Sequence, residues 1–106
     1  MASSVIKAMA TSELATPNST YVGFNQVYVT KVGKLVNVSG RFNVTTEKPS
    51  GGDNYLFSGL PSPKGIIIGF DTFDGLEFII NQNGWLTSNS AVGVGARNIQ
   101  FTYCEN

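Results

Sequence analysis

The chain has 106 residues, 42% of them hydrophobic and 13% charged, and its seven basic side chains balance seven acidic ones. This length suits one compact domain with a single core. A net charge of zero, with Lys and Arg scattered along the chain, disfavours binding to nucleic acid and to an anionic membrane surface. The longest apolar run, Ile66 to Phe70, is too short for membrane insertion across a bilayer.

Histidine is absent and cysteine occurs once, as Cys104. An imidazole base is the usual partner of a catalytic serine or cysteine, and zinc sites rely on Cys and His ligands. The composition therefore excludes such catalytic groups, the usual zinc pattern and an intrachain disulfide. We interpret Cys104 as an incidental thiol, because no neighbouring residue in the sequence favours a thiolate.

The N-terminal residues carry weak structural signals. The first ten lack the long apolar core of a secretory signal peptide, and residues 11 to 20 are rich in Ser, Thr, Asn and Pro. Two interpretations of residues 1 to 20 stay open, a short first strand or a linker to an upstream stem. The organised β domain is predicted over residues 21 to 106.

A β-hairpin is the clearest local signal, with strands predicted over 21–31 and 34–45. The second strand alternates apolar with polar residues, which is the period of a half-buried antiparallel strand. Its apolar side carries Val36, Val38, Gly40, Phe42 and Val44. Between the strands, Gly33 can take the positive φ that a short hairpin turn requires.

Five further strands are predicted over 55–58, 66–71, 76–81, 85–88 and 97–104. Asp74-Gly75 and Asn83-Gly84 lie between some of them, and such pairs favour hairpin turns. Residues 66–88 therefore form a predicted three-stranded meander. Short strands at this spacing, without a helical period, predict an all-β fold: an antiparallel β-sandwich or jelly-roll-like barrel.

The run from Ile66 to Phe70 bears on assembly, because it is apolar on both faces. A two-layer sandwich leaves one of those faces without a core to pack against. Either this is a central strand covered by loops, or its outer face is a subunit interface, and the sequence favours neither.

The segment from residue 25 to residue 63 resembles the small β domains at the distal ends of tail, baseplate and fibre proteins of tailed bacteriophages and prophages, especially those that infect Gram-positive bacteria. The resemblance follows the order hairpin, V-x-V-x-G-x-F, loop and L-F-x-G-L-P-x-P. Its matching residues are Val36, Val38, Gly40, Phe42, Leu56, Phe57, Gly59, Leu60, Pro61 and Pro63. A weaker match continues through 83–86 and 98–103.

This resemblance implies a receptor-binding domain located in the virion tail or baseplate. It implies a homotrimer that contacts other tail or baseplate subunits and adheres to host cell-wall polysaccharide. Identical shallow sites on one oligomer turn weak sugar binding into useful avidity. The alternatives are a purely structural tail or baseplate component and a secreted carbohydrate-binding module.

Three acidic residues at a spacing of three, Asp71, Asp74 and Glu77, raise the question of a paired-carboxylate or calcium site. A turn already explains the first two, so we favour the structural interpretation. We therefore expect no enzymatic activity, no metal and no cofactor.

A saccharide site requires an aromatic ring for the apolar face of the sugar and polar groups for its hydroxyls. Side chains of these types lie in or beside predicted loops, and we propose Trp85, Asp74, Asn83, Arg97 and Tyr55 as ligand-binding residues, with Asp53 and Asn54 nearby in the sequence. For Trp85 taken alone, the sequence favours an ordinary core aromatic over a ligand contact, because the residue begins an apolar-patterned strand.

Overall fold

The computed structural model describes residues 10 to 106, which form nine β-strands and no helix. No helix long and apolar enough to cross a membrane therefore occurs among them. The strands are β1 (Ala10–Leu14), β2 (Thr16–Pro17), β3 (Val22–Val32), β4 (Leu35–Val44), β5 (Tyr55–Ser58), β6 (Ile67–Phe70), β7 (Glu77–Ile80), β8 (Leu86–Thr87) and β9 (Gly95–Cys104).

The strands form two antiparallel sheets that pack face to face. The four-stranded sheet has the order β1-β3-β4-β9, and the five-stranded sheet has the order β2-β5-β8-β7-β6. On one side the chain itself joins the sheets, because it passes from β1 to β2 at Ala15. On the other side Thr72 N donates to Asn98 O at 3.1 Å. The predicted antiparallel β-sandwich is confirmed.

The predicted hairpin and meander are also confirmed. β3 pairs with β4 from Val22 to Val44, and the loop between Val32 and Leu35 has Gly33 at a φ of 61°. β6, β7 and β8 are consecutive antiparallel neighbours, as predicted for residues 66–88.

The residues before the hairpin take part in both sheets. β1 pairs with β3, and β2 pairs with β5. Residues 10 to 17, for which the sequence leaves strand and linker open, are therefore extended and paired. Residues 1 to 9 of the same predicted region lie outside the described residues.

The core lies between the sheets and is filled by the inward side chains of the long strands. At its centre the Phe42 ring packs edge-on against Phe57, with ring centroids 5.1 Å apart, and against Phe78 at 6.2 Å. All three rings are fully buried. Edge-to-face aromatic pairs add stability beyond the area they bury, so this cluster fixes how the two sheets face each other.

Gly40 occupies a position in β4 that tolerates no side chain. It pairs with Val27 on β3 and with Ile99 on β9, and its φ is 141°. A Cβ built there would lie 2.0 Å from the carbonyl oxygen of Gln26. The atoms met are backbone atoms of β3, and β4 is also paired with β9 on its other side, so the strand cannot move aside cheaply.

We predict that Gly40→Ala lowers the free energy of unfolding by about 3 kcal/mol or more, through steric overlap and positive φ together. Gly65→Ala is the matched control, since no atom lies within 4 Å of its added Cβ and the backbone there is not in the left-handed region. Its effect should stay within about 0.5 kcal/mol. Urea unfolding of both variants gives the comparison, and equal stability of the two would contradict the steric argument.

Tyr103 is a buried core residue with an ionisable group. Its hydroxyl donates to Pro61 O at 2.7 Å. Burial, with a smaller contribution from the charge of Glu105, raises the pKa of Tyr103 to about 12 from its ordinary value of 10.0. The folded state therefore holds this proton more tightly than the unfolded chain does.

A group whose pKa is higher in the folded state stabilises that state below the unfolded pKa, and this contribution is lost as the pH rises towards the folded pKa. We predict that Tyr103 makes the protein about 1.4 kcal/mol less stable at pH 11 than at pH 9. Tyr103→Phe removes the ionisation and should flatten this pH dependence in urea unfolding at the two pH values. An identical slope in the variant would show that Tyr103 is not responsible.

Candidate functional site

Two aromatic rings meet on the outer face of the five-stranded sheet. Leu86 points into the core, so its neighbour Thr87 and the residue paired with Thr87, Tyr55, lie on the opposite face of the sheet, where other residues cover Thr87 completely. The rings of Tyr55 and Trp85 stack with centroids 4.5 Å apart and an interplanar angle of 26°. Both side chains are half-buried. We call this pair the aromatic platform.

A bulge in β5 explains why Tyr55 is available. The register shifts between Tyr55 and Phe57, which pair with Thr87 and Leu86 respectively. The extra residue allows Leu56 and Phe57 to be buried together, although they are adjacent in the sequence. The ring of Tyr55 is left on the opposite face of the sheet.

The turn before β8 holds Trp85 in place. Its backbone N–H donates to the side-chain oxygens of Asn81 at 3.2 Å and Asn83 at 3.1 Å. Gly84 has a φ of 82°, and a Cβ there would lie 2.3 Å from Leu60 O. The Asn-Gly pair therefore forms the tight turn that the sequence predicts and also lets two loops approach closely.

Polar groups surround the platform. Thr87 is fully buried and its hydroxyl donates to Asn54 O at 2.7 Å. The side-chain oxygen of Asn54 accepts a hydrogen bond from the Tyr21 hydroxyl at 3.3 Å. The exposed amide of Asn83 lies in the turn just before Trp85. An amphipathic ligand would meet ring carbons and amide groups at this surface.

Trp85 stands apart from the buried core cluster, whose aromatic members are Phe42, Phe57, Phe78, Phe101 and Tyr103. The interpretation of Trp85 as an ordinary core aromatic is therefore wrong. Its environment is a sheet surface shared with Tyr55. Sequence alternation could not separate the two interpretations, because they differ only in which face of β8 is buried.

Arg97 and Asp74, which the sequence also proposes as ligand residues, form a separate ion-pair cluster with Asp71. Arg97 Nη1 donates to Asp71 Oδ2 at 3.1 Å and to Asp74 Oδ2, while Arg97 Nη2 donates to Gly93 O at 3.1 Å. The Asp71 side chain is fully buried, that of Arg97 is 10% exposed and that of Asp74 is 52% exposed.

This cluster fastens the β6–β7 turn to β9. Asp71 Oδ1 accepts hydrogen bonds from the backbone N–H groups of Phe73 and Asn98, at 3.0 and 3.2 Å. The hydrogen bond from Leu76 N–H, assisted by Arg97, holds the pKa of Asp74 below its ordinary value. Both terminal nitrogens of the guanidinium are hydrogen-bonded within the protein, whereas Nε is buried without a hydrogen-bond partner.

The proposed ligand residues thus fall into two groups. Trp85, Tyr55 and Asn83 lie together, whereas Asp74 and Arg97 lie at the turn that precedes β7. The turn carrying Asn83 follows β7, so the two groups occupy opposite ends of that strand. Among residues 10 to 106, no group of three or more Asp, Glu, Cys or His residues is placed to hold a metal ion.

Sequence reasoning missed a polar cleft beside β1. Its polar lining includes Thr11, Glu13, Thr16, Ser58 and Ser62. The signal in the sequence was Glu13, a charged residue between Ser12 and Leu14. This signal does not predict a cleft by itself, because the pairing of β1 and β2 with the two sheets is not encoded locally.

No protein-family model matches the chain, and neither the curated proteins nor the solved structures contain a significant match to it.

The ion-pair cluster gives a stability prediction. Arg97→Met leaves the carboxylate of Asp71 buried without its counter-ion, and removing one partner of a buried pair costs about 3–5 kcal/mol. Adding Asp71→Asn to that variant neutralises the buried group and should recover part of the loss. Asp74→Asn should have the smallest effect, since its carboxylate is largely exposed.

Chemical denaturation of Arg97→Met, Asp71→Asn, the double variant, Asp74→Asn and the parent tests this order of stabilities. If Arg97→Met unfolds at the same denaturant concentration as the parent, the buried pair does not hold the turn to β9. The loss of unfolding free energy in the double variant is compared with the sum of the losses in the two single variants. If the two values are equal, the side chains of Asp71 and Arg97 are not energetically coupled.

Proposed function

We propose that this domain is a non-catalytic adhesion module of a phage tail or tail-like particle and binds a saccharide of the host cell surface. The observation that carries the proposal is the aromatic platform, a stacked Tyr55–Trp85 pair held at the surface of the sheet and outside the core. The likeness of the segment 25–63 to distal tail domains supplies the biological setting.

The chemistry of the platform supports a sugar ligand. The C–H faces of a sugar ring pack well on aromatic carbons, while its hydroxyls need hydrogen-bond partners when they leave water. Here the rings of Tyr55 and Trp85 offer the first kind of contact and the exposed side-chain amide of Asn83 offers the second. The side-chain amide of Asn54 is already hydrogen-bonded to Tyr21 and Ser50. Arg97 and Asp74 act mainly as structural residues, because they bind each other and Asp71.

Assembly as a homotrimer with other tail or baseplate subunits is the second part of the proposal. β6 is an edge strand rather than a covered central strand. Its outer residues Ile68 and Phe70 are 57% and 58% exposed, and Ile66 just before the strand is 59% exposed, whereas Ile67 packs against the core. We call these three residues the apolar stripe, and burying it between subunits would remove apolar area from water.

The ligand surface and the apolar stripe occupy different parts of one sheet face. The platform lies on β5 and at the start of β8, and β7 separates β8 from β6. Between them lies Ile79, which is 8% exposed and outside the core cluster. Subunits joined through β6 would thus leave the platform available, and several platforms on one particle would act with avidity.

A purely structural tail component is the second candidate function. The apolar stripe favours it, because a subunit joint needs that stripe and does not need the platform. The two candidates differ in whether the platform binds anything.

We predict that Trp85→Ala weakens binding to bacterial surface polysaccharides at least tenfold while the protein stays folded, since loss of a stacking contact of about 1.5 kcal/mol has this effect. Phe24→Ala is the control, because Phe24 is 50% exposed on the other sheet. Binding is measured on an array of purified cell-wall polysaccharides, and thermal melting checks the fold. Undiminished binding by Trp85→Ala would show that the platform is not part of the saccharide site. No binding by the parent protein would favour the structural candidate.

We predict that light scattering of the purified protein gives a mass near three times the 11.3 kDa of one chain. Ile68→Lys places a charge in the apolar stripe and should yield monomers. Thr46→Lys, at an exposed site in the β4–β5 loop, should leave the mass unchanged. A parent mass of one chain at micromolar concentration would contradict assembly through this stripe.

A further inference from the structure

A cleft of about 440 Å³ opens between β1 and the segment that follows β5. Its polar lining consists of Thr11, Glu13, Thr16, Ser58, Ser62 and the Lys31–Glu105 ion pair. The volume falls within the range of pockets that hold small ligands. The cleft lies between the edges of the two sheets, away from the Arg97 cluster.

The cleft exists because the chain changes sheets at this point. β1 pairs with β3 as far as Leu14, and Thr16 pairs with Ser58 in the other sheet. Ala15 N donates to Val27 O at 2.8 Å, which makes Leu14 and Tyr28 a non-hydrogen-bonded pair in the ladder. The backbone N–H and C=O of Leu14 therefore point away from β3, towards the open edge of β1.

The lining groups suit a hydroxyl-rich ligand. The hydroxyls of Thr11, Thr16 and Ser58 both donate and accept hydrogen bonds, and carboxylates accept from ligand hydroxyls. Glu13 is exposed and forms no ion pair within residues 10 to 106. Lys31 Nζ lies 2.7 Å from Glu105 Oε1, so its charge is already balanced.

The charge balance of the cleft narrows the ligand class. With Lys31 paired to Glu105, the Glu13 carboxylate leaves the cleft with a net negative charge, which disfavours phosphate and other anions. Leu60 and Val29 supply a small apolar surface beside the hydroxyls. A neutral or amino-substituted sugar residue presents matching hydroxyls and C–H groups.

We infer that this cleft is a second saccharide subsite that takes one sugar residue, an inference that rests on the saccharide-binding function proposed above. The segment that lines the cleft is hydrogen-bonded to the turn that carries Trp85. Leu60 N donates to Gly84 O at 3.0 Å, and Gly84 directly precedes Trp85. One polysaccharide chain can therefore contact the platform with one residue and enter the cleft with another.

The test is a titration of the ¹⁵N-labelled protein with free glucose, galactose, rhamnose, N-acetylglucosamine and galactosamine, followed by amide chemical shifts. At least one of these sugars should give saturable shifts at Thr11, Glu13, Ser58 and Gly59. Glu13→Gln should weaken that binding about tenfold, the effect of losing one charge-assisted hydrogen bond. Glu47→Gln, at an exposed site in the β4–β5 loop, is the matched control and should leave the binding unchanged.

The Trp85→Ala variant separates this inference from the proposed function. Sugar-induced chemical-shift changes at the cleft residues that persist in Trp85→Ala support an independent subsite. If chemical-shift changes occur only around Tyr55 and Trp85 and the cleft residues show none, the subsite is overturned and the saccharide-binding function is supported. No saturable shift with any of the five sugars, together with no binding on the polysaccharide array, overturns both.

Discussion

The pairing of β4 with β3 on one side and β9 on the other is the constraint on which the rest of the structure depends. These three strands are the longest in the fold, and β4 pairs with β9 over its whole length. Because side chains alternate between faces, this register commits Val36, Val38 and Phe42 to the core together. Gly40 lets the strands approach at the centre of the ladder, where any larger residue would collide with β3.

The two sides of the sandwich are closed by different means, and this difference shapes the surface. On the side of β6 and β9, the buried Asp71–Arg97 pair ties a turn to the neighbouring sheet. On the side of β1 and β2, covalent continuity at Ala15 replaces such a tie. The chain there must leave one sheet before it joins the next, so an open edge and a polar cleft remain.

The outer face of the five-stranded sheet carries an unusual share of apolar side chains. The apolar stripe lies at its free edge, and the aromatic platform lies on β5 and β8. Edge strands are commonly protected by charges or proline, and β6 has neither. A surface of this kind promotes aggregation of an isolated monomer, whereas in a larger particle it can be buried between subunits. The proposed function therefore includes assembly.

The sequence by itself determined the strands from residue 21 onwards, the hairpin at Gly33 and the turns at Gly75 and Gly84, because periodicity and turn residues act over a few neighbouring positions. Only the tertiary structure decided which faces meet. The bulge that exposes Tyr55 and the burial of Lys48, whose backbone pairs with that of Val92, depend on pairings between distant segments. Desolvation there lowers the pKa of Lys48. The surface position of Trp85 depends on its stacking against Tyr55 of β5. Arg97 likewise finds Asp71 across 26 residues of chain, a contact that no local pattern encodes.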